Sequence, residues 1–143
     1  MKVKQVTEDK DLMDAFQIRK VVFVEEQGVP LKDEFDEYDP EAVHILVFHD
    51  DQPSATGRLR IHSDYAKLER ICVLANSRQY GLGKAVVQSL EKIAKEKGLK
   101  KAKLHAQTQA ADFYKKLGYT PDSNEFMEDG IPHILMVKNL SEG

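Results

Sequence analysis

Residues 69–98 read ERICVLANSRQYGLGKAVVQSLEKIAKEKG: a strand, a glycine-bearing loop and an amphipathic helix in succession, and that order decides the fold. Leu68, Ile71, Cys72 and Val73 are apolar and partly β-branched, which favours a buried strand ending near Val73. Val86, Val87, Leu90, Ile93 and Ala94 recur at helical spacing, and Gly98 stops the helix from a C′ position. Between strand and helix a polar segment, 75–80, leads into Gly81, Gly83 and Lys84. The first N–H groups of a helix have no intrahelical acceptor and carry the positive end of its dipole, so an anion is stabilised there. With no Cβ at Gly81 or Gly83 the main chain can wrap phosphate oxygens, while Arg78 and Lys84 add positive charge. Spacing excludes two familiar phosphate loops. Walker A needs Ser or Thr after the lysine, where Ala85 stands, and a dinucleotide fingerprint needs a third glycine, where Val86 stands.

The 143 residues suit one domain, 1–143, with 41% hydrophobic residues to build a core, so disorder is excluded. A net charge of −3 from mixed signs lacks the basic excess of a general nucleic-acid binder, and the lysines at 92, 95, 97, 100, 101 and 103 are interleaved with Glu91 and Glu96. The longest apolar run, 45–48, is far too short to span a bilayer. One cysteine, Cys72, and no signal-like segment after Met1 point to a cytoplasmic protein. A lone strand cysteine reads as a small buried hydrophobe, and the five histidines show no H-x-H or H-E-x-x-H spacing, so no metal site is expected.

Around the central unit the chain reads in order. A short strand over 1–6 precedes a helix that Thr7 can cap, with Leu12, Phe16, Val22 and Phe23 as its buried stripe and Gly28-Val29-Pro30 as its end. Segment 33–41 is acidic, with Phe35 and Tyr38 interleaved; it is either a solvated loop or a wall that attracts a cationic amine. Strands over 43–49 and 55–62 form a hairpin, and 65–73 continues the meander. After the helix, 101–106 alternates as a strand parallel to the one before it, and a crevice opens where two such strands diverge. A short helix over 110–117 ends at Gly118, and a hairpin of 126–128 and 131–137 turns at Asp129-Gly130.

Arg78-Gln79-Tyr80-Gly81-Leu82-Gly83 is an R-x-x-G-x-G segment between strand and helix, and Phe113-Tyr114-Lys115-Lys116-Leu117-Gly118-Tyr119 matches F-Y-x-x-x-G-[FY] on the next helix. In that order the two motifs resemble the GNAT N-acetyltransferases. Arg19, Phe23-Val24, Glu25, Gln27, Pro30, Asp33-Glu34, Asp36 and Asp39 resemble the amino-terminal run of the ElaA/YjcF-like branch, and Gly130-Ile131-Pro132-His133-Ile134 extends the likeness near the end. The resemblance implies an α/β fold: a twisted, mostly antiparallel sheet of six to seven strands, one parallel pair splayed around the cofactor, and about four flanking helices. It also implies direct transfer from acetyl-CoA, as cosubstrate, to a small-molecule or peptide amine; the alternative is a non-catalytic CoA-binding or sensing module of the same fold. Dimers are common in that family.

Site residues follow from the resemblance. The main chain at Ile71, Cys72 and Val73 would pair with the pantetheine arm and polarise the thioester. Arg78, Gln79, Tyr80, Gly81, Leu82, Gly83 and Lys84 would hold the diphosphate, with Gln107 and Phe113 contacting the cofactor; Gln107 and Gln109 stand where the family commonly has Asn. Tyr114 matches the tyrosine that protonates the leaving thiolate. Glu69, four residues before Val73 and so expected on its face of the strand, is a candidate base or a partner of Arg70 or Arg58. His133 faces either the acceptor pocket or the core.

Overall fold

In the computed structural model, which describes residues 1–140, strand, helix and loop alternate so that one sheet is packed on both faces. The strands are β1 (Lys2–Gln5), β2 (Val43–His49), β3 (Gln52–His62), β4 (Tyr65–Val73), β5 (Lys101–Gln107), β6 (Thr120–Pro121), β7 (Phe126–Glu128) and β8 (Ile131–Asn139). The helices are α1 (Asp9–Arg19), α2 (Leu31–Glu34), α3 (Leu82–Glu96) and α4 (Ala111–Lys116). The sheet runs β1-β2-β3-β4-β5-β8-β6, with β7 also on β8. Among the described residues only β4 and β5 are parallel. Eight strands rather than six or seven are present among the described residues, because Thr120–Pro121 adds a two-residue strand that no periodicity can announce.

Alternation sorts the sheet's two faces. Leu59, Ala66, Leu68, Leu104 and Met136 pack against Val86, Val87, Leu90 and Ala94 of α3. On the other face, Leu46 and Cys72 meet Ala15, Ile18 and Val22. The stripe of the first helix is therefore Ala15, Ile18 and Val22, with Leu12 and Phe16 only half-buried at its flanks. Glu8, not Thr7, takes the N-cap position and makes no side-chain cap bond. After Arg19 the helix widens into a π-helical stretch, Lys20–Glu26, and ends at Gly28 with a positive φ. Gly98 and Gly118 close α3 and α4 as expected. Gly118 N–H bonds Lys115 O and Tyr119 N–H bonds Tyr114 O, both at 3.0 Å, and this pair of bonds fixes the last turn of α4.

The parallel pair is short. β4 and β5 are in register only over Ala66–Leu68 and Ala102–Leu104. Beyond Leu68 a bulge interrupts the β3 pairing: Arg58 opposes Glu69 and Thr56 opposes Cys72, so Arg70 and Ile71 together face Gly57. Arg70 takes φ 57, a left-handed conformation unusual for a side-chain-bearing residue. Past this point β4 parts from β5 and a gap opens through the sheet.

The acidic segment resolves in favour of structure. Arg19 donates to Glu34 at 2.8 Å and to Asp39 at 2.7 Å. Arg58 donates to Asp36 and Asp39, each at 2.7 Å, and to Glu69 at 3.0 Å. Arg70 adds contacts to Glu34 and Asp36 at 3.2 and 3.3 Å. Both Arg19 and Arg58 are 1% exposed, so carboxylates are required to neutralise them. Asp36 and Asp39 are thereby spent inside the protein, which corrects the expectation that they draw in a cationic amine. Burial pushes Asp36 upward, but the hydrogen bonds and charge of Arg58, with help from Tyr38 N–H and Arg70, outweigh it and bring the carboxyl down to about 2. Burial likewise pushes Asp39 upward, but the hydrogen bonds and charge of Arg19 and the hydrogen bond of Arg58 outweigh it and the pKa is lowered. Burial wins at Glu34, whose pKa is raised.

Carboxylates held low in the folded state lend stability that is complete above their unfolded values, near 4, and is lost as pH falls from there toward 2. Glu34, shifted the other way, softens that loss. The fold should therefore unfold in acid across about pH 4 to 2, followed by circular dichroism. Asp39→Asn, which leaves two buried guanidinium groups short of one negative charge, should cost about 3 kcal/mol of unfolding free energy in urea at pH 7.

Candidate active site

The gap between β4 and β5 opens into a cavity of about 440 Å³ that brings together residues from five separate stretches of the chain. Its rim at one end is the start of α3. Gly81 is the N-cap residue at φ 74, and the first intrahelical bond to that turn is Ala85 N–H to Gly81 O. The N–H groups of Leu82, Gly83 and Lys84 precede it and have no helical acceptor. A Cβ built on Gly83 would lie 3.3 Å from Phe113 and 3.8 Å from Val73, so glycine keeps this cradle open. Gly81, Gly83, Lys84, Phe113, Ile71, Cys72, Val73 and Gln107 all line the cavity.

Three loop residues contribute no side chain there. Leu82 is wholly buried in the core, Tyr80 stacks on His49 with ring centroids 4.2 Å apart, and Gln79 is exposed. Arg78 does line the cavity, but its guanidinium is engaged: Nε donates to Val73 O at 3.0 Å and Nη2 to Glu26. That bond, with burial opposing, lowers the Glu26 pKa. The loop is thus tied to the π-helical stretch through Arg78.

Backbone direction is set at the end of β4. Leu74 N–H bonds Ser54 O at 2.9 Å, toward β3, so the neighbouring amide of Val73 points the other way, into the gap. Cys72 is buried, and burial pushes its thiol pKa far above the usual value, with the charge of Glu34 adding to it. It offers no thiolate nucleophile.

Tyr114 is 8% exposed and lines the cavity from α4. Its ring packs edge-on against Phe113 and Tyr119, at centroid distances of 5.0 and 5.9 Å. Tyr119 is anchored in turn by donating to Glu91 at 2.7 Å, and Lys138 reaches the same carboxylate at 3.1 Å. Burial, and secondarily Cys72, raises the Tyr114 pKa, so the phenol stays protonated.

Glu69 requires a correction. The bulge at Arg70 and Ile71 shifts the alternation of β4 by one residue, so Glu69 shares a face with Cys72 and not with Val73. Its carboxylate meets Arg58 at 2.9 Å, Arg60 at 2.7 Å and Lys67 at 3.2 Å. Burial opposes ionisation, but Arg60, Arg58 and Lys67 together hold the pKa at about 2. Such a carboxylate is a poor proton acceptor near neutral pH, and Glu69 acts as the hub of an ion network.

A different cluster supplies basic groups. His105 Nδ1 lies 2.9 Å from Glu128 Oε1, and His133 Nε2 lies 3.6 Å from Glu128 Oε2. His133 Nδ1 donates to Ile131 O at 2.7 Å. All three side chains line the cavity, on the face that also carries Gln107, whose amide reaches Gln27 at 2.9 Å. Hydrogen bonding from His105, against some burial, lowers the Glu128 pKa, so the carboxylate is ionised and can only accept. The proton therefore sits on His105 Nδ1, and Nε2 keeps its lone pair in the neutral ring. Sequence reading passed over His105 and Glu128 because they stand 23 residues apart and meet only through the pairing of β5, β8 and β7. Gln109 bonds Gln107 and lies outside the cavity lining.

A family model for the acetyltransferase (GNAT) domain matches residues 20–140. The Bacillus subtilis protein YyaT is 58% identical over 144 residues, which cover 99% of this chain and 97% of YyaT. The uncharacterized N-acetyltransferase YjcF of Bacillus subtilis is 45% identical, over 97% of this chain and 100% of YjcF. Among solved structures, Escherichia coli ElaA superposes with a TM-score of 0.84 at 27% identity, covering 96% of this chain and 98% of that one. The loop at Gly81–Gly83, the splayed pair and Tyr114 are thus features of a chain that belongs to the GNAT acetyltransferases, in the branch that includes YjcF and ElaA.

Proposed function

We propose that this protein is an acetyl-CoA-dependent N-acetyltransferase that acts on a primary amine by direct attack, with both substrates bound at once. The observation that carries this reading is the gap between β4 and β5, which joins the free N–H groups of α3, Tyr114 and the His105–Glu128 pair in one cavity. Leu82 to Lys84 and the Cβ-free cradle at Gly83 fit a diphosphate, with the ammonium of Lys84 beside it and the edge of Phe113 against the arm that follows. When bound there, acetyl-CoA supplies an acetyl thioester and a thiolate leaving group.

The chain's own groups divide the remaining work. His105 Nε2 accepts a proton from the incoming ammonium and leaves a neutral amine; Glu128 orients the ring and stabilises the imidazolium that forms. The Val73 N–H, aimed into the gap by the Leu74–Ser54 bond, is placed to hold a developing oxyanion at little reorganisation cost. Tyr114 holds a proton at the cavity wall and gives it up to the thiolate, and the proton that the attacking nitrogen sheds as the amide forms restores the phenol; the burial that weakens this phenol as an acid also makes a thiolate beside it more basic.

Isothermal calorimetry tests the loop: a folded Gly83→Val protein should lose most of its affinity for coenzyme A, because the new side chain fills the cradle. Thiol release from acetyl-CoA across a panel of amines tests the reaction. With an amine that reacts, Tyr114→Phe keeps the ring packing and should lower kcat by about 10²-fold, while coenzyme A affinity changes little. Equal kcat for the two proteins would relieve Tyr114 of the acid role, whereas coenzyme A binding with no turnover of any amine would favour a binding module over an enzyme. His105→Gln should lower kcat by a similar factor of about 10², and Glu128→Gln by about tenfold, when chemistry limits turnover.

A further inference from the structure

We infer that the acceptor carries an anionic group, a phosphate or a carboxylate, and that this group seats in a cationic groove beside the active-site cavity; the inference rests on the acetyl-transfer reading and adds the class of acceptor. The groove, about 390 Å³, is lined by Tyr38, Arg60, His62, Tyr65, Lys67 and Lys103, with Leu104, His105 and Leu135 at its floor. Lys67, Leu104 and His105 also line the main cavity, so the two spaces adjoin at the proposed base.

Strand register builds the groove. Arg60 pairs with Lys67, His62 with Tyr65, Lys67 with Lys103, and His105 with Leu135, and residues in register on neighbouring strands share a face. This is the face on which α1 covers β2 and β3, and these positions lie beyond it. Among the described residues no carboxylate lines the groove. Glu69 reaches Arg60 and Lys67 from the side of the main cavity. Lys103 has no carboxylate partner among the described residues; its ammonium sits 4.2 Å from the centre of the Tyr65 ring. Arg60 lies 3.9 Å from the Tyr38 ring centre, and His62 stacks on Tyr65 at 5.2 Å.

Folding alone does not ask for this arrangement. Like charges in register on adjacent strands repel, and a solvated sheet face would ordinarily mix signs, yet Lys67 and Lys103 are in register and concave. An oxyanion bound between them offsets the repulsion that Glu69, shared with Arg58 and Arg60, only partly relieves; it can reach the Nη1 side of Arg60, whose Nε and Nη2 are held by Glu69, and has tyrosine rings on its flanks. With His105 at the boundary, the amine meets the base while the anion occupies the groove. A compact molecule bearing both groups satisfies the two spaces together.

Matched acceptors test this: ethanolamine as the neutral amine, O-phosphoethanolamine for phosphate and β-alanine for carboxylate, each assayed by thiol release at saturating acetyl-CoA. At least one anionic amine should show kcat/KM about tenfold or more above ethanolamine, the size of one charge-assisted hydrogen bond, and the better of the two identifies the anion. Lys103→Gln should reduce that preference about tenfold, chiefly through KM, while Lys92→Gln on the exposed face of α3 leaves it unchanged. Raising salt on the wild-type protein should shrink the preference without any variant. Ethanolamine and both anionic amines turning over with equal kcat/KM would overturn the groove and leave acetyl transfer standing. Coenzyme A binding with no turnover of any amine would overturn the acetyl-transfer reading and this inference with it.

Discussion

Arg70 holds a left-handed backbone conformation in the middle of a strand, and the rest of the site depends on that constraint. Such a φ costs an ordinary residue about 1–2 kcal/mol, so something must hold it. Its side chain does so, reaching Glu34 and Asp36, while those carboxylates are themselves fixed by the buried Arg19 and Arg58. The bulge that results turns β4 away from β5 and leaves one edge of Ile71–Val73 without a strand partner. A cavity through the sheet, open toward helix α3 on one face and toward His105 on the other, is the geometric outcome. The ion network therefore acts as an abutment for the gap, and its charges are not free to recruit substrate.

The contrast between Glu69 and Glu128 shows how environment assigns roles to chemically equivalent groups. Three cations surround Glu69 and keep it ionised to about pH 2, which makes it structural. Glu128 faces instead the ring nitrogens of two imidazoles, His105 and His133. Tyr114 and Cys72 are both driven toward their neutral, protonated forms by burial, so neither offers an anion to the cavity near neutral pH.

Local signals carried most of the fold into the sequence. Periodicity marked α3, β-branched alternation marked the meander, and Gly81, Gly98, Gly118 and the Asp129-Gly130 turn sit at the positive φ their positions require. The glycine loop ahead of α3 stood out because its residues are contiguous. Glu69 was misread because strand alternation assumes an unbroken period, and one extra residue at Arg70–Ile71 reverses every face beyond it. The acidic segment was read as either solvated or functional because its partners, Arg19, Arg58 and Arg70, lie far away in sequence and approach only when α1, β3 and β4 pack. His105 and Glu128 escaped for the same reason. Strand β6, two residues long, has no period at all.

That short strand has a bearing on how copies of the chain meet. An open sheet offers unpaired N–H and C=O groups along its outer strands, and a long flat edge invites another molecule to add a strand. Here one edge is β6, whose second residue is Pro121 and so lacks an N–H to donate. The opposite edge is β1, four residues long, alternating Lys2 and Lys4 with Val3 and Gln5; Lys4 is held inward by Asp11 at 2.7 Å. Both margins are blunt, one by truncation and proline, the other by lysine. Continuous cross-molecular sheet extension is disfavoured at each, and self-association that buries apolar area has to use the faces or helices instead.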